Sequence, residues 1–245
     1  MKDFIYITTV EPLIEAINEN YPIEEIYIKS GIKDAKLTKI ISMVKDKRIQ
    51  TINLNAKAFN DRFRNIKNQG IIAICRNNFI IYNRITDFLD EYSDKNKISL
   101  LILDGIEDMN NMGAIIRSAY YFGIAGIIVR KDRNAPINET LIRSSAGAIF
   151  HLPIIVETNL TETIKKLKDN DFWITGTSSH GGDKLSKLQS YSKIAVVLGN
   201  EKKGISRLVS ENCDFFIQID GTGKFESLNV SVSAGIISFH LCQKD

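Results

Sequence analysis

Five polar residues, Asn111, Arg117, Glu201, Ser227 and Asn229, stand where apolar runs give way to turns. They fall in three stretches: DGIEDMNNMGAIIRSAYYFG (104–123), LGNEKKGIS (198–206) and IDGTGKFESLNVSVSAG (219–235). Asn111 precedes a helical pattern that carries Arg117, and Gly199 and Gly204 bracket Asn200 and Glu201. Glycines at such places permit a positive φ or a close approach of backbone to ligand. Singly, each residue has an ordinary explanation: a helix cap, a surface guanidinium, a turn acid. Together, two amides, a guanidinium, a carboxylate and a hydroxyl at the ends of strands form a set that could hold and orient a polar ligand.

The elements that must position them follow from the apolar rhythm. SLLILD (99–104), GIIV (126–129), FWITGT (172–177), IAVVLG (194–199) and DFFIQI (214–219) are mostly continuous apolar runs. Strands buried on both faces read this way, so an α/β fold with a mainly parallel sheet covered by helices is expected. In such sheets ligands bind beyond the carboxyl ends of the strands, where the three loops lie. A helix is expected from Gly113 to Phe122, closed by Gly123. Residues 228–241 alternate partly like a strand but are too long for one, and Leu228, Val232, Ile236 and Phe239 share a helical face. A buried helix is therefore expected there, with Ser227 and Asn229 at its N-terminal end, where free N–H groups and the helix dipole orient polar partners.

The first 76 residues read as a separate small α/β domain, with strands at 4–7, 23–28, 49–54 and 70–75 and a helix from Glu11 to Asn18. Residues 77–97 read as a linker with one short helix, and the second unit runs from 98 to 245. Net charge is only +3, but its distribution is uneven. Between Lys29 and Arg76 there are twelve Lys or Arg against three acids, whereas residues 1–28 hold one Lys against six acids. Such a basic segment suits RNA or DNA phosphates, the alternative being a solvated face.

No run of eighteen apolar residues occurs, and MKDFIYITTVEP lacks the order of a signal peptide, so a soluble cytoplasmic protein is expected. Cys75, Cys213 and Cys242 are too far apart for a CxxC site and odd in number, and read as reduced core thiols. His180 reads as an exposed loop residue, and His151 and His240 as core-edge residues amid apolar neighbours. Asp104, Glu107 and Asp108 lack the calcium-loop pattern, and no metal is assigned.

NMGAIIRSAYYFG, VVLGNEKKGIS and IDGTGKFESLNVSVSAG resemble the three ordered motifs of the SpoU-type (TrmH family) RNA ribose 2'-O-methyltransferases of the SPOUT superfamily. SSAGAIFHLPI (144–154) is similar to the family's segment between the first two motifs. The first domain is similar to the ribosomal-protein-like RNA-binding module of the large-subunit ribosomal RNA guanosine methyltransferases. The resemblance thus spans essentially the whole chain. It implies a catalytic domain whose C-terminal segment forms a trefoil knot, an exception to the rule that chains do not thread. It also implies a homodimer joined through the catalytic domains, and S-adenosylmethionine held largely by backbone groups. Motif match places its contacts at Leu198, Gly199, Ile219 and Leu228, with Asn200 and Ser227 nearby.

By the same match the catalytic set is Arg117, Asn111, Glu201, Ser227 and Asn229. Arg117 corresponds to the family's catalytic arginine. A guanidinium with a pKa above about 12 is a poor proton acceptor, so its expected role is to grip the target phosphate and stabilise developing oxyanion character. Two departures stand out: Lys202 and Lys203 follow Glu201 where Glu-Gly-x-Gly is common, and Asp220-Gly221 replaces a frequent Pro-Met. The expected function is methyl transfer to a ribose 2'-hydroxyl of ribosomal RNA, a guanosine of 23S rRNA, with the basic segment 29–76 presenting the RNA. A tRNA substrate is the runner-up, and a non-catalytic RNA-binding or ribosome-assembly protein is the rival class. The intact Arg, Glu, Ser and Asn set favours the enzyme.

Overall fold

The computed structural model describes residues 4–32, 35–132, 137–222 and 227–242, which divide into two compact units. The first opens with β1 (Phe4–Ile7), α1 (Val10–Asn18), β2 (Ile23–Lys29), α2 (Ala35–Asp46), β3 (Thr51–Leu54), α3 (Ala56–Arg62) and β4 (Ile71–Arg76). Its sheet has the order β1-β4-β2-β3, with β4 antiparallel to both neighbours and β3 parallel to β2. Tyr27, Phe59, Phe63 and Ile72 form a core on one side of it. Asn55 starts α3 by accepting from the Ala58 N–H at 2.9 Å, a side-chain cap that satisfies one of the helix's free first-turn amides.

The chain continues with β5 (Ile81–Tyr82), α4 (Ile85–Glu91), β6 (Ile98–Asp104), α5 (Met109–Tyr121) and β7 (Gly126–Arg130). Next comes α6 (Glu139–Ser144), then β8 (Ile154–Glu157), α7 (Leu160–Lys168), β9 (Trp173–Ser178) and β10 (Asp183–Lys184). β11 (Lys193–Gly199), α8 (Arg207–Ser210), β12 (Phe215–Gln218) and α9 (Val230–Cys242) complete it. Eight strands of the second unit form one parallel sheet in the order β10-β12-β9-β11-β6-β7-β8-β5. The expected α/β class and parallel sheet are what the fold has. The continuous apolar runs of β6 and β11 are buried at its centre, while β5 and β10, two residues each, are too short to show as patterns.

The units are cut differently from the expected domains. Residues 137–151, which the apolar rhythm assigned to the second domain, pack with the first unit, and β5 and α4 of the expected linker belong to the second. Phe150 explains the first difference: its ring meets Tyr21 at 4.5 Å and stacks on Phe79 at 5.7 Å. Gly147, at φ +91°, lies so close to α1 that a Cβ would meet Glu15 Cβ at 2.8 Å and Pro12 Cα at 3.1 Å. His151 is half-buried, a core-edge residue as expected, and it also lies beside two carboxylates, its Nε2 3.3 Å from Glu15 and its Nδ1 3.7 Å from Glu19.

Two further expectations change. Cys75 is buried and Cys213 half-buried, and burial pushes both thiols up to about 12, but Cys242 is exposed and is no core thiol. α9 is not buried all round. Val230, Ala234, Ile237 and Leu241 face inward, whereas Val232 and Phe239 are about half exposed at 50% and 46%. The helix is apolar on every side, so periodicity could not say which stripe meets the core. Among the described residues no helix is long and apolar enough to cross a membrane.

Candidate active site

The parallel pairing of β6 with β11 sets Gly199 beside Asp104, so the loops that follow both strands leave the sheet together. Asp104 is buried, and its carboxylate accepts the Ser206 N–H at 2.7 Å, tying the far end of the loop after β11 to the end of β6. Asn200 ties the near end. Its side-chain amide donates to the Gly105 carbonyl at 2.7 Å, and its oxygen accepts the N–H groups of Lys202 and Lys203 at 3.0 and 3.2 Å. Backbone bonds between Asn200 and Gly204, 3.1 and 2.8 Å, close the turn, with Gly204 in the left-handed region at φ +66°. Lys202 keeps a negative φ, so the turn closes without the glycine common at that position.

Gly199 is required for a different reason. A Cβ there would stand 2.3 Å from both Gly204 C and Ile205 N, inside the backbone of its own turn. The loops therefore pack backbone to backbone at the carboxyl edge of the sheet.

Glu201 projects from this braced turn and accepts a hydrogen bond from the Asn111 side-chain amide. Asn111 does not precede α5, as expected, but lies in its first turn. The cap is Asp108, whose carboxylate accepts the Asn110 and Asn111 N–H groups at 2.9 and 2.8 Å. The Asn111 oxygen accepts in turn from the Asn229 amide at 3.1 Å. The Asn229 oxygen then accepts both the N–H and the hydroxyl of Ser231, at 2.8 and 2.6 Å, and so caps α9. The chain of bonds has one consistent direction. A carboxylate only accepts, so Asn111 must turn its NH2 to Glu201 and its oxygen to Asn229, which leaves the Asn229 oxygen for Ser231.

Three of the sequence-identified catalytic residues, Asn111, Glu201 and Asn229, are thus joined from the first turn of α5, the turn after β11 and the start of α9. Arg117 is not part of that chain. It lies exposed on α5 with the exposed Tyr120 and Tyr121, without a hydrogen bond or ion pair among the described residues. Ser227 and Leu228 are exposed beside the start of α9. Residues 223–226 of the third motif lie outside the described residues.

Of the cofactor set, Leu198 is buried, so only its backbone can face a ligand, and Asn200 has its side chain committed to bracing the turn. Ile219 is half-buried beyond the end of β12. These positions fit a ligand held by main-chain groups. Among the described residues no cluster of three His, Cys, Asp or Glu could hold a metal. Asp104 and Asp108, singled out in the sequence as potential cation ligands, are a loop anchor and a helix cap. Asp108 was legible as an acidic residue ahead of a helical pattern; the role of Asp104 depends on a partner 102 residues away.

α9 packs against α5, with Gly235 of α9 beside Ser118 of α5. Phe239 meets Phe122 edge to face at 5.7 Å, and Phe122 meets Tyr121 at 5.0 Å. Val232, Phe239 and Tyr121 leave an open apolar surface on these two helices.

Residues 99–239 match the model of the SpoU rRNA methylase family, and residues 10–79 match that of the RNA 2'-O ribose methyltransferase substrate-binding domain. A Staphylococcus aureus protein assigned to the TrmH family of tRNA/rRNA methyltransferases is 38% identical over 233 residues, 94% of this chain and 92% of its own length. The crystal structure of the SpoU methyltransferase AviRb from Streptomyces viridochromogenes, in complex with AdoMet, superposes with a TM-score of 0.76 at 20% identity, covering 98% of this chain and 90% of that one. A crystal structure of an RNA 2'-O ribose methyltransferase superposes with a TM-score of 0.78 at 18% identity, covering 98% and 88%.

Proposed function

The chain belongs to the SpoU rRNA methylase family, and from that premise we propose that it methylates a ribose 2'-hydroxyl of ribosomal RNA, at a guanosine of the 23S molecule. It is an RNA methyltransferase whose cofactor is S-adenosylmethionine. The observation that carries the assignment of the site is the single hydrogen-bonded chain from Glu201 through Asn111 to Asn229, which joins the turn after β11 to the first turn of α5 and the start of α9. When bound, the cofactor supplies a sulfonium-activated methyl group. Backbone groups at Leu198, Gly199 and Ile219, with Leu228 and Ser227 at the start of α9, would hold it.

In-line displacement depends on alignment of the attacking oxygen with the methyl carbon, so the main task of the protein is positioning. Glu201, Asn111 and Asn229 supply a polar wall whose orientation is fixed by the bonds that join them, with further N–H and carboxylate positions left to meet a ligand. Arg117 contributes positive charge from α5. Always protonated, it binds the target phosphate and stabilises negative charge on the 2'-oxygen, whose proton passes to that phosphate or to a neighbouring side chain.

Residues 29–76 bind the RNA. Exposed Lys39, Lys45, Arg48, Lys57 and Lys67 have no ion-pair partner among the described residues, whereas Lys47 is held by Asn20 and by carbonyls at the end of α1. The open apolar surface of α5 and α9 supports a homodimer joined through the catalytic domains. The return of α9 from β12 on one flank to α5 and β11 supports the trefoil knot. The family assignment of the Staphylococcus aureus relative also names tRNA, which keeps tRNA as a second substrate reading.

Transfer of labelled methyl from S-adenosylmethionine to unmodified 23S rRNA and tRNA transcripts tests the function, with 2'-O-methylguanosine in the rRNA as the expected product. Arg117→Ala is expected to abolish turnover and Arg117→Lys to restore part of it. Unchanged turnover with weakened cofactor binding would remove Arg117 from the reaction.

A further inference from the structure

The turn that carries Glu201 also carries two lysines, and the way it is built gives them a task. Its backbone is closed at both ends by the Asn200–Gly204 bonds. Its middle is held by the Asn200 oxygen, which accepts the N–H groups of Lys202 and Lys203 themselves. Both side chains are exposed and spring from fixed points one and two residues beyond Glu201.

Three carboxylates of this edge are already engaged, Glu201 with Asn111, Asp108 with the first amides of α5, and Asp104 with Ser206, while Glu107 stands exposed without an ion pair among the described residues. Neither ammonium has an ion-pair partner among the described residues. Two unneutralised cations on a rigid loop at the lip of a reaction site suit a polyanionic substrate, since ordering the loop costs nothing further on binding.

We infer that Lys202 and Lys203 grip backbone phosphates of the RNA strand beside the reacting ribose; the inference rests on the ribose methyltransferase reading above. Arg117 and the basic first unit bind RNA from other elements, so the lysines add local contacts that set the strand's register against Glu201.

Each phosphate contact on single-stranded RNA contributes a slope of about −0.7 to log K against log salt. The test measures binding of an unmodified 23S rRNA transcript to wild-type protein, K202A/K203A and K202R/K203R by filter retention from 50 to 200 mM KCl. S-adenosylmethionine affinity is measured alongside by calorimetry. The alanine pair is expected to bind RNA more weakly with a slope shallower by about 1.4, so that its deficit is roughly sevenfold larger at 50 mM than at 200 mM. The arginine pair is expected to keep the wild-type slope, and cofactor affinity to stay within about twofold.

Superimposable salt plots would overturn the inference, as would a cofactor affinity lost together with RNA binding, which would make the lysines supports of the cofactor loop. A wild-type protein that binds no S-adenosylmethionine would overturn the functional reading instead, and the salt comparison would still decide the lysines.

Discussion

Replacing Asn229 by aspartate separates two jobs that one side chain performs. The Asn229 oxygen caps α9 through Ser231, and its amide donates to Asn111, which in turn donates to Glu201. Aspartate keeps an acceptor for Ser231 and places negative charge at a helix N-terminus, which is favourable by about 0.3–1 kcal/mol. It cannot donate to Asn111. If Asn111 stays as it is, its oxygen faces a carboxylate; if it flips, its oxygen faces Glu201. One link is broken either way, and a hydrogen bond to a charged group is worth about 1.5–3 kcal/mol, or roughly 10- to 100-fold in rate if the orientation of Glu201 matters to transfer. Alanine loses the cap as well, at about 1 kcal/mol, which lowers the melting temperature of a chain this size by about 2–4 °C. Single-turnover methylation and thermal unfolding of both variants are the assays. Asn229→Asp is expected to melt within about 2 °C of wild type and to react at least tenfold more slowly. Wild-type rates in the aspartate variant, or a melting point as low as that of alanine, would refute the directional chain.

Other expectations follow from the same geometry. Gly199→Ala drives a Cβ into the backbone of Gly204 and Ile205 and is expected to weaken S-adenosylmethionine binding at least about tenfold by calorimetry. Gly221→Ala, with nothing within 4 Å of the added carbon, is expected to change it by less than about twofold. Phe239→Asp places a charge on the open face of α9 and is expected to convert a dimer to a monomer in sedimentation velocity. A variant that sediments like a dimeric wild type would move the interface elsewhere. Alkylation at pH 8 followed by mass spectrometry is expected to label exposed Cys242 first, because a thiol pushed up to about 12 is about one part in ten thousand thiolate at that pH. Raising the pH from 9 toward 12 is expected to destabilise the fold, since the unfolded thiols of Cys75 and Cys213 lose protons that the folded ones retain.

The parts of the fold that were legible in the sequence are those governed by local pattern. β6, β9, β11 and β12 appeared within a residue or two as apolar runs, and the loops behind them held the polar residues that the structure gathers. What escaped depends on distant partners. Residues 137–151 join the first unit because Phe150 finds Tyr21 and Phe79, which no local rhythm encodes. Asp104, one of three acids weighed as a cation site, anchors the Ser206 N–H from 102 residues away, a pairing that no local pattern carries. The expected buried face of Leu228, Val232, Ile236 and Phe239 instead leaves Leu228, Val232 and Phe239 exposed, because a helix apolar on all sides carries no signal of its inner face. Arg117 stands apart from the Asn111 chain although both lie on α5, since motif order places residues on elements and not on the same face.

Methyl transfer to a ribose of large-subunit ribosomal RNA is the proposed reaction. Its most direct test is mass-spectrometric mapping of ribose methylation in ribosomal RNA and tRNA from cells with and without this protein. Loss of one 2'-O-methylguanosine from 23S rRNA is the expected result, and an unchanged methylation map in both RNAs would contradict it.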